Sequence, residues 1–124
     1  MKRILIIEDN ESNIYLISFI LKNHGYGVLE ARSGEEGITL ACNARPDLII
    51  TDIQLPGLDG LETTRRIRQS EGNEKIPIIA LTSYAMMGDR ERALAAGCTG
   101  YIEKPINPET FISEIESYFR LGVT

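Results

Sequence analysis

The feature that most constrains the fold is a repeated alternation between short apolar runs and longer segments with apolar residues at helical spacing. Apolar runs of about four to eight residues, bounded by turn residues, are typical of strands buried on both faces. Strands are predicted at residues 4–7, 26–31, 76–81 and 100–103 and in the run that ends at Asp52. Helices are predicted between the strands and after the last one. Such alternation predicts an α/β protein with a parallel sheet, helices on both sides and right-handed crossovers.

Several residues mark where the predicted helices begin and end. Ser33 and Glu36 form a capping-box pattern, and either Asn10 or Ser12 can cap the first helix. Gly25 is a stop signal for that helix. The predicted third helix covers residues 61–70, the fourth 86–96 and the last one begins at 108. The third helix is expected to be basic on its outer face through Arg65, Arg66 and Arg68.

Composition narrows the class of protein. A chain of 124 residues with 43% apolar and 25% charged residues fits one domain, residues 1–124, with a hydrophobic core. Its net charge of −5 and the absence of a basic stripe argue against nucleic-acid binding. The apolar runs are too short for a membrane span, and acidic residues follow the N-terminus too early for a signal peptide. Cys42 and Cys98 lack metal-ligand spacing, so we expect reduced thiols and a cytoplasmic protein.

Polar residues stand where four of the predicted strands end. They are Glu8 and Asp9, Asp52, Thr82 and Lys104. Because parallel strands end at the same edge of a sheet, these side chains are expected to converge. Three carboxylates in one place raise each other's pKa unless a cation is present, and hard oxygen ligands favour Mg²⁺, with Mn²⁺ as a possible substitute. Asp52 could then act as a nucleophile toward a phosphoryl group.

Taken singly, each of these residues also has an ordinary structural explanation. Asp52 could simply open a turn, Glu8 and Asp9 could cap a helix, and Lys104 could be a solvated surface lysine. Thr82 could merely end a strand. The interpretation as a site depends on four separate strands delivering complementary chemistry to one edge.

With these residues in view, the sequence resembles the receiver domain of two-component response regulators over essentially its whole length. The resemblance is carried by the acidic pair Glu8-Asp9, by Asp52 followed by residues 55–60, and by Thr82, Tyr101 and Lys104. It is strongest toward single-domain DivK-like regulators and the receivers of hybrid histidine kinases. The fold that it implies is a flavodoxin-like, CheY-like (βα)5 three-layer sandwich with strand order 2-1-3-4-5.

The resemblance also implies a chemistry for the site. A sensor histidine kinase or a histidine phosphotransfer protein would donate a phosphoryl group to Asp52, with the receiver catalysing its own phosphorylation and dephosphorylation rather than turning over a substrate. Asp9, Asp52 and the backbone carbonyl of Gln54 would hold Mg²⁺, and Glu8 would contribute through water. Lys104 would pair with the phosphoryl group or with Asp52, and its peptide bond to Pro105 is expected to be cis.

A switch is implied as well. Thr82 would move toward the phosphate and Tyr101 would swing inward, changing the partner preference of the face formed by the fourth helix, fifth strand and last helix. Gln54 and Tyr84 would set the lifetime of the phosphoaspartate. The protein would be a monomer or a weak dimer that acts alone or in a phosphorelay. Two positions depart from the common pattern: Glu8 is longer than the usual Asp, and Ser83 replaces a smaller residue.

Four alternatives stay open at this stage. The chain could be a receiver excised from a hybrid kinase or multidomain regulator, or a degenerate receiver that only docks. A haloacid-dehalogenase-type phosphohydrolase would need a second Asp two residues after Asp52, where this chain has Gln54. A flavodoxin-type electron carrier would need a phosphate cradle after the first strand, where Glu8 and Asp9 would repel an anion.

Overall fold

The computed structural model describes residues 2–82 and 88–122, with side chains described as far as residue 119. Within these ranges the strands are β1 (Arg3–Ile7), β2 (Gly27–Ala31), β3 (Leu48–Asp52), β4 (Ile78–Thr82) and β5 (Gly100–Glu103). The helices are α1 (Glu11–Asn23), α2 (Gly34–Ala44), α3 (Gly60–Gln69), α4 (Asp89–Ala96) and α5 (Pro108–Gly122). Every neighbouring pair of strands is parallel, in the order β2-β1-β3-β4-β5. The predicted fold class is confirmed.

The sheet separates two hydrophobic cores, because successive side chains of a strand point to opposite faces. Ile4 and Ile6 of β1 lie in the core beneath α1 and α5, whereas Leu5 and Ile7 lie in the core beneath α2, α3 and α4. All five residues of β3 and of β4 are buried, which explains why both strands read as continuous apolar runs. The result is the predicted three-layer sandwich.

Side-chain caps fix where α1 and α2 begin. The Asn13 N–H donates to Asn10 Oδ1 at 3.0 Å, so the cap of α1 is Asn10 rather than Ser12. At α2, the Glu36 N–H donates to Ser33 Oγ at 3.1 Å, as the capping box predicts. The carboxylate of Glu36 reaches one residue further back than expected and accepts from the Arg32 N–H at 2.8 Å.

Some predicted boundaries are wrong by one or two residues. Strand β4 begins at Ile78 rather than at residue 76, because Pro77 has no N–H to donate to a neighbouring strand. Strand β2 begins one residue late, at Gly27. Helix α3 begins at Gly60, because Asp59 accepts a hydrogen bond from the Glu62 N–H at 2.8 Å and caps it. The predicted start of the fourth helix, residue 86, lies outside the described residues.

The prediction that Arg68 lies on an exposed basic face of α3 is wrong. Its guanidinium donates to the carbonyl oxygens of Gly97 at 2.8 Å, Asn73 at 3.1 Å and Ile76 at 2.5 Å. Burial lowers the pKa of Arg68. The side chain therefore joins the C-terminal end of α3 to the loops that enter β4 and β5.

The remaining predictions about the chain concern its cysteines and its hydrophobicity. Cys98 is buried, Cys42 is partly buried, and both are free thiols, as predicted. Across the described ranges, no helix combines the length and the apolar character needed to cross a bilayer.

Candidate metal and phosphoryl-transfer site

The strand ends bring the predicted acidic residues to one edge of the sheet. Ile7 of β1 is in register with Thr51 of β3, so the residues that follow them, Glu8 and Asp52, come next to each other. Thr82 ends the neighbouring strand β4, and Lys104 directly follows β5. The predicted convergence of the three carboxylates and Lys104 is therefore present in the structure.

Asp52 is buried and held by two donors. Only 6% of the residue is exposed. The Gln54 N–H donates to Asp52 Oδ1 at 3.1 Å, and Lys104 Nζ donates to Asp52 Oδ2 at 3.1 Å. Just beyond the strand, the Gly60 N–H donates to the Ile53 carbonyl at 2.9 Å and brings the start of α3 against the end of β3. The carboxylate thus has a fixed orientation.

Glu8 is more deeply buried than its position at a strand end suggests, with 1% of the residue exposed. Its Oε2 accepts from the Asp9 N–H at 3.0 Å and from the Asn10 N–H at 3.4 Å. Its Oε1 accepts from Asn13 Nδ2 at 3.0 Å and from Lys104 Nζ at 2.7 Å. Four donors therefore surround one carboxylate, which offsets much of the cost of burying its charge.

Lys104 connects the two buried carboxylates. Its ammonium group contacts both Glu8 and Asp52, and only 12% of its side chain is exposed. Burial alone would lower the pKa of Lys104, but hydrogen bonds and charge interactions with Glu8 and Asp52 outweigh burial and raise it. Lys104 is therefore a cation at neutral pH and compensates part of the negative charge of the site. The Lys104–Pro105 peptide bond is cis, as the resemblance implies.

The chemistry of the acidic side chains fits a hard divalent cation. Glu8, Asp9 and Asp52 each offer a carboxylate oxygen, and these atoms lie within 4.8 Å of one another. Glu8 and Asp52 are buried, whereas Asp9 is exposed and gives the group an opening to solvent. Oxygen-only ligands with room for water suit Mg²⁺ or Mn²⁺. Gln54 is exposed, and its N–H is turned toward Asp52.

Thr82 and Tyr101 are linked on the next two strands. Thr82 is buried at the end of β4. Tyr101 in β5 is partly buried against the core beneath α2, α3 and α4. Partial burial and the charge of Glu103 raise the pKa of Tyr101, while a hydrogen bond between the side chains of Tyr101 and Thr82 acts in the opposite direction. Ser83 and Tyr84, singled out from the sequence, lie outside the described residues.

A concave surface lies on the side of β5 away from the acidic group. Two hollows of about 460 and 390 Å³ flank the ring of Tyr118 and are both lined by Tyr101. The ring lies directly on the strand at Gly100, where a Cβ would come within 2.2 Å of Tyr118 Cζ. Leu94 of α4 is an exposed apolar residue at the rim of the smaller hollow. This part of α4, β5 and α5 therefore presents a concave surface.

Sequence reasoning missed Asn13. The predicted site residues stand at strand ends, whereas Asn13 lies in the first turn of α1. Its spacing of three residues from the cap Asn10 places both near Glu8, and this helical spacing is the signal that could have found it.

Comparisons with known proteins agree with the geometry. A family model described as the response regulator receiver domain matches residues 4–116. The polar-differentiation response regulators DivK of Brucella ovis and Brucella abortus are each 45% identical to this chain over 117 residues, covering 94% of this chain and 95% of theirs.

Solved structures give the same picture. The chemotaxis protein CheY4 of Vibrio cholerae superimposes with a TM-score of 0.91 at 31% identity, covering 95% of this chain and 98% of that one. The receiver domain of the sensor histidine kinase PA1611 from Pseudomonas aeruginosa superimposes with a TM-score of 0.89 at 37% identity, covering 96% of this chain and 98% of that one. The PA1611 structure has a magnesium ion coordinated in its active site cleft.

Proposed function

The chain belongs to the receiver-domain family of two-component response regulators, with DivK-like relatives, and we propose that it accepts a phosphoryl group from a phosphohistidine on Asp52 in a Mg²⁺-dependent reaction. The observation that carries the proposal is the bridge from Lys104 Nζ to both Glu8 and Asp52, which holds a buried carboxylate at the end of the central strand. Receivers of this family act as phosphoacceptors rather than as classical enzymes. We propose that residues 1–124 form one such domain.

In the proposed reaction, an oxygen of the Asp52 carboxylate attacks the phosphorus atom of the donor. The bond between phosphorus and the imidazole nitrogen breaks, its electron pair stays on the nitrogen, and the imidazole takes up a proton. Asp52 suits this role because its orientation is fixed before the donor arrives. The donor would be a sensor histidine kinase or a histidine phosphotransfer protein, the partners that membership of this family implies.

The other residues of the site would stabilise charge on the transferred group. Asp9, Asp52 and the Gln54 carbonyl would hold the Mg²⁺, with Glu8 contributing through water, and the bound ion would supply positive charge near the phosphoryl oxygens. Lys104, already a cation in contact with Asp52, would pair with a phosphoryl oxygen. The hydroxyl group of Thr82 would donate to another. Gln54 and Tyr84 are proposed to control how long the phosphoaspartate survives.

Phosphorylation would be communicated to partners through Thr82 and Tyr101. Moving a two-state equilibrium from 1:99 to 99:1 needs about 5.5 kcal/mol. New hydrogen bonds from Thr82 and Lys104 to a charged phosphoryl group, at about 1.5–3 kcal/mol each, can supply most of it. Thr82 and Tyr101 lie on the adjacent strands β4 and β5, which supports a connection to the concave surface of α4, β5 and α5, where a downstream protein would bind.

Acetyl phosphate labelling tests the assignment of Asp52. With Mg²⁺ present, intact-protein mass spectrometry should show one added phosphoryl group on the unaltered protein and none on Asp52→Asn. The matched control is Asp47→Asn, at the opposite end of the same strand, where Asp47 Oδ2 accepts from the Arg3 N–H at 2.8 Å. This variant should be labelled normally, because an Asn side chain also has an oxygen that can accept this bond. Equal labelling of Asp52→Asn at another residue would contradict the assignment.

A further inference from the structure

The side-chain amide of Asn13 forms a hydrogen bond to a residue outside α1. The backbone N–H of Asn13 is satisfied by Asn10 Oδ1, which completes the cap of α1. Its side-chain amide instead leaves the helix and donates from Nδ2 to Glu8 Oε1 at 3.0 Å. An ionised carboxylate accepts hydrogen bonds only, so it is the NH₂ end of the amide that faces Glu8.

The oxygen that Asn13 contacts is the one that holds Lys104. Glu8 Oε1 accepts from Asn13 at 3.0 Å and from Lys104 at 2.7 Å, whereas Oε2 is bonded to backbone N–H groups at the start of α1. Removing the Asn13 amide would leave Lys104 as the one remaining described donor to Oε1. The carboxylate, and the ammonium group bound to it, could then adopt other positions.

We propose that Asn13 is a positioning residue of the phosphoacceptor site, which acts through Glu8 to keep the acidic group and Lys104 in the arrangement that receives the divalent cation. The inference rests on the proposed function, since it concerns the same cation site. Residues that orient the ligands of a metal typically change its affinity by about 10- to 100-fold when they are removed. Because Asn13 touches one of three carboxylates, we expect an effect at the lower end of that range.

The test is a Mg²⁺ titration by isothermal titration calorimetry. Asn13→Ala should raise the dissociation constant roughly tenfold relative to the unaltered protein. Ser12→Ala is the matched control, because Ser12 is the preceding, exposed residue of the same helical turn, and no described contact joins it to Glu8. Its affinity should be unchanged. Asn13→Ser, which keeps a small polar residue too short to reach Glu8, should behave like Asn13→Ala and replaces it if the alanine variant does not fold.

A double-variant cycle separates action through Glu8 from a general effect on α1. In a Glu8→Ala background the oxygen that accepts from the Asn13 amide is already gone, so adding Asn13→Ala should produce no further loss of Mg²⁺ affinity. An additional tenfold loss in that background would show that Asn13 acts by another route and would overturn the inference.

A metal-free measurement provides an independent readout. In protein without Mg²⁺, NMR chemical shifts of the Lys104 Cε group should change in Asn13→Ala and stay constant in Ser12→Ala. Unchanged Lys104 shifts, together with equal Mg²⁺ affinities of the two variants, would refute the role of Asn13 while leaving the proposed function intact. Failure of the unaltered protein to bind Mg²⁺ would instead contradict the proposed function itself.

Discussion

At the scale of single residues, Lys104 explains how two carboxylates can be buried side by side. Glu8 and Asp52 are both nearly inaccessible to water, and an ion pair at that depth is costly unless the geometry is good and the remaining lone pairs are satisfied. Both conditions are met, since Lys104 contacts each carboxylate and backbone N–H groups contact the other oxygens. Replacing Lys104 should therefore destabilise the protein more than replacing either Glu8 or Asp52.

Lys104→Met should destabilise the protein in the absence of divalent cations. The substitution keeps the length of the side chain but leaves two buried carboxylates next to each other, and removing one partner of a buried ion pair costs about 3–5 kcal/mol. Urea unfolding followed by circular dichroism measures the change. Lys75→Met, at an exposed position, is the control and should leave the unfolding midpoint unchanged. Equal midpoints for the two variants would mean that Lys104 does not compensate the acidic site.

The convergence of the acidic residues and Lys104 could be predicted because each of them stands at the end of a strand. The roles of Gln54, Tyr84 and Tyr101 came from the resemblance to receiver domains and stay predictions. Asp52 and Lys104 stand at the ends of strands that β4 separates, so their contact also depends on the length of the lysine side chain. The direction of the Glu8 side chain could not be predicted in this way. It depends on the torsion angles of a longer side chain and on a contact with Asn13 from the following helix, neither of which is encoded in the alternation of strands.

At the scale of elements, the close approach of α3 to β3 positions the end of the central strand. Gly60 is the first residue of α3, and a Cβ there would lie 2.1 Å from the carbonyl oxygen of Asp52. The obstacle is backbone, so it cannot rotate away as a flexible side chain could. Gly60 is thus the residue that allows the helix to begin directly beside the proposed phosphoacceptor.

Gly60→Ala should therefore be strongly destabilising. We expect a loss of about 3 kcal/mol in the free energy of unfolding, because α3 must shift away from β3. Gly25→Ala is a useful comparison: Gly25 has a φ of +86°, and a Cβ at this position would have no atom within 4 Å. That substitution should cost only about 1–2 kcal/mol of left-handed backbone strain. Chemical denaturation of the two variants distinguishes these costs. A smaller loss for Gly60→Ala than for Gly25→Ala would argue against the tight contact.

Tyr26 connects the last helix, α5, to the start of β2. The hydroxyl group of Tyr26 donates to Glu116 Oε2 at 2.7 Å, and its ring stacks on Phe119 with the centroids 5.9 Å apart. Lys2 Nζ lies over the ring of Phe119, 4.7 Å from its centroid. These contacts hold the C-terminal half of α5 at the edge of the sheet opposite to the acidic group.

Tyr26 should give the stability of the protein a component that is lost at alkaline pH. Burial, followed by the hydrogen bond to Glu116, raises the pKa of Tyr26 from 10.0 to about 12. A raised pKa in the folded state means that the protonated form is favoured by folding, so the contribution is complete below pH 10 and disappears as the pH rises toward 12. The difference in unfolding free energy between the unaltered protein and Tyr26→Phe should therefore shrink over that interval.

Spectroscopic titration of the phenol groups checks the same assignment. The protein has five tyrosines, and Tyr26→Phe should remove the phenol that titrates near pH 12. Tyr15→Phe is the control, because Tyr15 is 73% exposed on α1. Persistence of the most alkaline titration in Tyr26→Phe would contradict the raised pKa.

Arg68 shows the limit of predicting an element from its own sequence. Within α3 alone, Arg65, Arg66 and Arg68 look equivalent, and two of them do form exposed pairs with Glu62. The third points toward carbonyl groups of loops that come 5 and 29 residues later in the chain. Such long-range acceptors are fixed by tertiary packing and have no local signal in the sequence.

At the scale of the whole molecule, the fold separates the proposed phosphorylation site from the surface where we propose that a partner binds. The acidic group lies at the carboxyl ends of β1 and β3, whereas the concave surface of α4, β5 and α5 lies beyond β4 at the far edge of the sheet. We propose that Thr82 and Tyr101, on adjacent strands, connect the two regions. The alternation of apolar runs and helices predicted a parallel sheet, whereas the order of its strands came from the resemblance to receiver domains.

A crystal structure with Mg²⁺ and beryllium fluoride, an analogue of the phosphoryl group, tests the central claim most directly. We expect density for the fluoride complex bonded to an Asp52 oxygen, a Mg²⁺ ion held by Asp9, Asp52 and the Gln54 carbonyl, and contacts from Lys104 and Thr82 to the fluorine atoms. An Asp52 side chain turned away from a site that holds neither ion nor fluoride would contradict it.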